Sequence, residues 1–187
     1  AGIAVPQGGT LTVLGHSYGG ATVGLAEKAG LSADRILYVS AAGMGHGVAG
    51  LADFPNTAEV PHYALMARND LVVGLVQGGG AGDMHGQSPL TADGVVRLET
   101  GFVSAGDART GGLEDYNVAG NGTPPAIDAH SSVYQPGTGS FENIVAVITG
   151  GSVEVFAEDR IIVAGGRVVT IDGIDRDDYR PHYAEVE

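Results

Sequence analysis

The chain alternates short apolar runs with glycine-rich polar stretches. Thr10 to Leu14 (TLTVL), Arg35 to Ser40 (RILYVS), Pro61 to Ala67 (PHYALMA) and Val95 to Glu99 (VVRLE) are nearly continuous apolar segments of strand length. Runs of this kind predict strands buried on both faces, as in a parallel sheet covered by helices. An alanine-rich stretch, Ala21 to Ala29, predicts a helix after the first run, and Gly30 stands where a helix C-terminus favours glycine. Ser140 to Thr149 predicts another helix, with Phe141, Ile144, Val145 and Ile148 at helical spacing. Strands alternating with helices place the chain in the α/β class. Ala41 to Gly50 reads as a glycine-rich loop. Thr100 to Ala129, polar and rich in Gly and Pro, reads as a long loop of the kind usually kept for function or movement.

Beyond residue 150 the pattern changes. Val153 to Phe156, Arg160 to Ala164 and Arg167 to Ile171 are β-prone, and Gly165-Gly166 predicts a hairpin turn between the last two. Asp172 to Glu187 is acidic and turn-rich. Residues 1–150 therefore read as an α/β domain and residues 151–187 as a small β and acidic extension.

Candidate chemistry begins where the first apolar run ends, in Gly15-His16-Ser17-Tyr18-Gly19-Gly20. Gly15-x-Ser17-x-Gly19 lies between a predicted strand and a predicted helix. A serine at such a sharp turn has a strained backbone that pushes its hydroxyl outward. Gly15 and Gly19 are expected to remove Cβ atoms that would clash with the strand and helix. The helix N-terminus aims N–H groups and a positive dipole end at a developing oxyanion, with the Tyr18 N–H as the first donor.

A serine hydroxyl needs a base, and the base needs an orienting acid. In the fold that carries this turn the chain order is Ser, then Asp or Glu, then His. Asp70 follows a predicted strand, at the end of a sheet where catalytic groups gather; Asp53 and Asp93 are rivals without a clear strand before them, and Asp83 lies in a glycine loop. His130, after the long loop and before the last helix, is the candidate base, and His85 is its rival. His46 and His62 precede Asp70 and break the order, while His182 falls in the acidic tail. His16, Tyr134 and Phe141 are candidate pocket residues, though core packing is the simpler use for Tyr134 and Phe141.

Charge and composition narrow the function classes. Twenty-two acidic residues against nine basic ones leave a formal charge of −13, which phosphate backbones and anionic lipid surfaces would repel. Cysteine is absent, so disulfides and thiol catalysis are excluded. No apolar run reaches the roughly 20 residues that span a bilayer. The sequence contains neither a phosphate-binding loop nor a paired-histidine zinc motif, and acyl transfer through a serine requires no metal or cofactor. Nothing in the sequence sets the compartment.

The runs LTVLGHSYGG, HYALMARNDLV and DAHSSVYQPGTGSFENIVAVITG resemble an actinobacterial family of α/β-hydrolases of uncharacterised function, over about residues 10 to 150. The resemblance implies an α/β-hydrolase fold with Ser17 as nucleophile, Asp70 as acid and His130 as base. It implies no substrate. A full hydrolase of this type has several strands before the nucleophile turn, whereas only about ten residues precede the first strand here. The chain is therefore expected to be the C-terminal part of the fold, completed by a missing N-terminal segment or a second chain, and weakly active alone. The leading expectation is a hydrolase of a carboxylic ester or lipid-like small molecule. A peptidase or amidase would use the same triad, and a non-catalytic interaction module could use the same scaffold.

Overall fold

The computed structural model describes residues 8–67, 70, 72–73, 82–100, 130–156, 160–164, 167–171 and 182–186. Two compact units form, one from Ala1–Met66 with Val72–Arg97, the other from Ala67–Leu71 with Leu98–Val186. The expected loop beyond Thr100, residues 172–181 and the Gly165-Gly166 turn lie outside the described residues.

In the first unit four apolar runs become parallel strands: β1 (Thr12–His16), β2 (Arg35–Val39), β3 (His62–Leu65) and β4 (Val95–Arg97), hydrogen-bonded in that order. The inner strands are almost wholly buried while β1 and β4 are only partly so, as their sequences and edge positions require. Register aligns Val13 with Ile36 and Gly15 with Tyr38. Alternation along β2 sends Ile36 and Tyr38 to one face, where they pack with Ala41, Met44, Val48, Phe54, Ala64 and Ala92.

Helix α1 (Tyr18–Lys28) lies against the loop that follows β2. Gly20 and Gly24, four residues apart, share one helix face. A Cβ on Gly20 would come within 2.3 Å of the Ala41 Cβ, and one on Gly24 within 1.8 Å of the Met44 carbonyl oxygen. The helix can approach this loop only because both positions lack side chains.

A fully buried carboxylate ties the far end of α1 to the sheet. Glu27 accepts hydrogen bonds from the Tyr38 hydroxyl and from Thr57 Oγ1 at 2.7 Å. His62 Nε2 lies 2.8 Å from Glu27 Oε1, and His62 Nδ1 lies 2.7 Å from the Val60 carbonyl. A carbonyl only accepts, so Nδ1 carries a proton. One further proton must then sit between Nε2 and Glu27, and the pair is electrically neutral wherever that proton resides. The His62 ring stacks with Tyr38 on centroids 6.3 Å apart and with Phe54 at 6.0 Å. Burial above all, then the charge and hydrogen bond of Glu27, raise the Tyr38 phenol far above its ordinary range.

In the second unit α2 (Gly139–Thr149) starts at Thr138, whose hydroxyl accepts from the Phe141 N–H at 3.3 Å, and stops at Gly150, left-handed at φ 77°. β5 (Ser152–Val155) and β8 (His182–Glu185) pair antiparallel, as do β6 (Arg160–Ala164) and β7 (Arg167–Ile171). Register closes the second pair through Ala164 and Arg167. Buried Asn143 fastens α2 to two segments: its Nδ2 donates to the Glu99 and Glu154 carbonyls, and its Oδ1 accepts from the Glu154 N–H at 2.7 Å.

One expectation changes. The acidic, turn-rich tail supplies β8, because ladder pairing with β5 offsets weak local β preference. Helix α2 and β5 belong to the same compact unit. Among the described residues no helix is long and apolar enough to cross a membrane.

Gly24→Ala is a test of sign. Helix propensity alone would stabilise by about 1 kcal/mol. The Met44 carbonyl opposes it, and a net loss of about 1–3 kcal/mol is expected in urea denaturation. The Tyr38 shift has its own signature. The unfolded phenol ionises near pH 10, and the folded one resists, so stability is complete below that pH and falls as pH rises past it. Tyr38→Phe should flatten the decline between about pH 10 and 12; an unchanged slope would place the alkaline sensitivity elsewhere.

Candidate active site

Strand β1 ends at His16 and helix α1 begins at Tyr18, so one residue makes the whole reversal. That residue, Ser17, has φ 56° and ψ −127°, a conformation that favours glycine. Its surroundings over-determine it. The Ser17 N–H donates to the Val39 carbonyl at 3.0 Å, and the Ser17 carbonyl accepts from the Gly20 and Ala42 N–H groups, each at 3.0 Å. Serine commonly caps a helix with its hydroxyl. Ser17 stands at the cap position and makes no such bond, so the helix does not consume this hydroxyl. Ser17 is partly exposed.

The glycine requirement is redistributed. At Gly15 a Cβ would lie 2.6 Å from the Gly19 carbonyl oxygen and 2.8 Å from the Gly20 Cα. At Gly19 a Cβ would meet no described atom within 4 Å. The first helical turn folds back over the strand end, so Gly15 lies beneath it while Gly19 points away. Gly15 and Gly20 are the sterically required pair, and the expectation for Gly19 is corrected.

The Tyr18 N–H is the first of α1 and has no carbonyl one turn back within the helix. Its side chain is exposed, and the ring meets His85 edge-on, with centroids 5.7 Å apart and planes at 88°. This contact was not legible in the sequence, where His85 stood only as a rival base. His16 closes β1 opposite Val39 and is partly buried.

The second unit brings the expected acid and base together. His130 Nδ1 lies 2.8 Å from Asp70 Oδ2 across 60 residues of sequence. The Asp70 side chain is fully buried and that of His130 is 12% exposed. A carboxylate only accepts, so the proton sits on Nδ1 and Nε2 is the basic nitrogen. His130 lies in a helical turn at 130–132, and the N–H of Asp70 donates to the Ala67 carbonyl at 3.1 Å. The strand expected to lead up to Asp70 ends earlier, at Leu65. Tyr134 is partly buried, and burial raises its phenol. Ser17, His16 and Tyr18 thus belong to the first unit, and Asp70, His130 and Tyr134 to the second.

Two of the rivals have other partners. Asp53 is exposed and accepts the Ala49 N–H at 2.6 Å, closing a turn. Asp93 is exposed in a turn. His62 is committed to Glu27. His46 is exposed on the rim of a cleft of about 530 Å³ that Val48, Gln87, Ser88 and Thr91 also line. The side chains of Asp83 and His182 lie outside the described residues. Among the described residues no group of three His, Asp or Glu side chains could hold a metal ion.

The strain at residue 17 makes a measurable prediction. Ser17→Gly should raise unfolding stability by about 1 kcal/mol, the relief of strain exceeding the added chain entropy. Gly15→Ala should cost about 2 kcal/mol or more, while Gly19→Ala should be neutral or stabilising. Denaturant titration of the three variants would show whether the order holds. No known protein family, curated protein or solved structure matches this chain.

Proposed function

We propose that this protein is a serine hydrolase of the α/β-hydrolase type, with Ser17 as nucleophile, His130 as base and Asp70 as orienting acid. The observation that carries the reading is Ser17 itself: a serine in a glycine-favouring conformation at the end of a parallel strand, at a helix N-terminus its hydroxyl does not cap. Natural chains retain such strain where a site needs it. The Asp70–His130 hydrogen bond adds a partly buried, tautomer-fixed imidazole, and the order Ser, Asp, His is that of this fold.

In the proposed reaction His130 Nε2 takes the proton of the Ser17 hydroxyl as Oγ attacks a carbonyl carbon. The oxyanion receives the Tyr18 N–H at the positive end of α1. Asp70 holds the imidazole and stabilises the imidazolium. His130 then protonates the departing alcohol, and water, activated by the same nitrogen, releases the acid. The substrate is a carboxylic ester or lipid-like molecule of small size, with His16 and Tyr134 as the proposed pocket residues.

A fluorophosphonate probe tests this directly. Mass spectrometry should find the adduct on Ser17, and Ser17→Ala should abolish both labelling and hydrolysis of a small activated ester. Asp70→Asn, which keeps shape but reverses the tautomer preference, should slow hydrolysis by about 10³–10⁴. Ester hydrolysis that survives Ser17→Ala, or a folded protein left unlabelled, would remove the reading.

A further inference from the structure

Tyr18 follows the serine directly, and its side chain is 66% exposed; Met84, beside His85, is 62% exposed. The tyrosine is not a loose surface ring. It stands edge-to-face with His85, 5.7 Å between centroids and 88° between planes, an arrangement aromatic rings favour. His85 in turn is carried on a 3-10 turn (Gly82–His85) that is clamped backbone to backbone on the loop after β2. The Gly45 N–H donates to the His85 carbonyl at 2.8 Å, the Met44 N–H to the Gln87 carbonyl at 2.9 Å, and the Gln87 N–H to the Val48 carbonyl at 2.9 Å. The approach is as close as backbones allow: a Cβ on Gly43 would come within 2.2 Å of the His85 carbonyl oxygen, and one on Gly86 within 1.9 Å of that of Gly45. The same loop holds the serine, through the Ala42 N–H on the Ser17 carbonyl at 3.0 Å. One rigid segment therefore positions both the Ser17 backbone and the imidazole beside Tyr18.

Two rings at right angles form a corner. A third flat ring laid into it stacks on one and meets the other edge-on, both favoured geometries. A flexible alkyl chain gains contact there but no such orientation. From this geometry we infer that Tyr18 and His85 form an aromatic subsite on the acyl side of Ser17, selecting substrates that carry an aromatic ring next to the scissile carbonyl. The assignment to the acyl side rests on Ser17 being the nucleophile.

Two measurements separate the inference from that premise. In the Ser17→Ala protein, the His85 imidazole C–H resonances, identified by their loss in Ser17→Ala/His85→Ala, are followed during titration with methyl benzoate and with methyl butanoate. Methyl benzoate should shift them at about tenfold lower concentration, and Tyr18→Leu should erase that preference. Equal responses to the two esters overturn the subsite, whatever Ser17 does. In the unmodified protein, phenylboronic acid should protect Ser17 from the fluorophosphonate at about tenfold lower concentration than butylboronic acid, with the ratio falling towards one in His85→Ala. Preference in the titration without preference among the boronates overturns the placement on the acyl side. Preference in the titration with no labelling of Ser17 removes the nucleophile and again the acyl-side placement, but leaves an aromatic-binding corner.

Discussion

The chain reverses direction at one residue, and much of the first unit is arranged around that reversal. Ser17 cannot relax its positive φ without giving up a hydrogen bond to Val39 and two at its own carbonyl. Those bonds exist because β1 and β2 are in register up to His16 and Val39, and because the loop after β2 turns back to present the Ala42 N–H. That loop reaches the turn only by lying directly on α1, which Gly20 and Gly24 permit. A strained serine is thus held by ordinary backbone geometry around it, and the hydroxyl is left out of the accounts of the fold.

Charge is handled differently at the other end of the helix. A chain with formal charge −13 keeps the Glu27 carboxylate wholly inside and surrounds it with three donors. An unpaired charge there would cost several kcal/mol in desolvation. The shared proton with His62 keeps the pair neutral, and the flanking Tyr38 and Phe54 rings exclude water. Helix, central strands and the turn before β3 are joined through one side chain, so this knot sets the seat of α1 and, with it, the direction in which α1 points its N-terminus.

The second unit uses polar burial for the same purpose. Asn143 satisfies three backbone groups at once and so fixes α2 against β5 and the Glu99 segment. Asp70 and His130 meet through a partly buried hydrogen bond that assigns the imidazole tautomer.

Local pattern carried a good deal of this. Apolar runs of strand length announced β1 to β4, β6 and β7 to within two residues at each end, and the period of Phe141, Ile144 and Ile148 announced α2, since burial and periodicity are written in neighbouring residues. The serine turn was legible because a strand, a glycine-flanked serine and a helix follow one another directly. Five matters were settled only in three dimensions. Whether Gly19 or Gly20 must lack a Cβ depends on where Ala41 comes to rest. The partners of Glu27 lie 11, 30 and 35 residues away, and Asp70 and His130 lie 60 apart. β8 exists through its ladder with β5, and His85 meets Tyr18 through a clamp between two loops. Periodicity reports which face a residue turns to the core, but contacts between distant segments are decided by how those faces pack, and no local pattern encodes that.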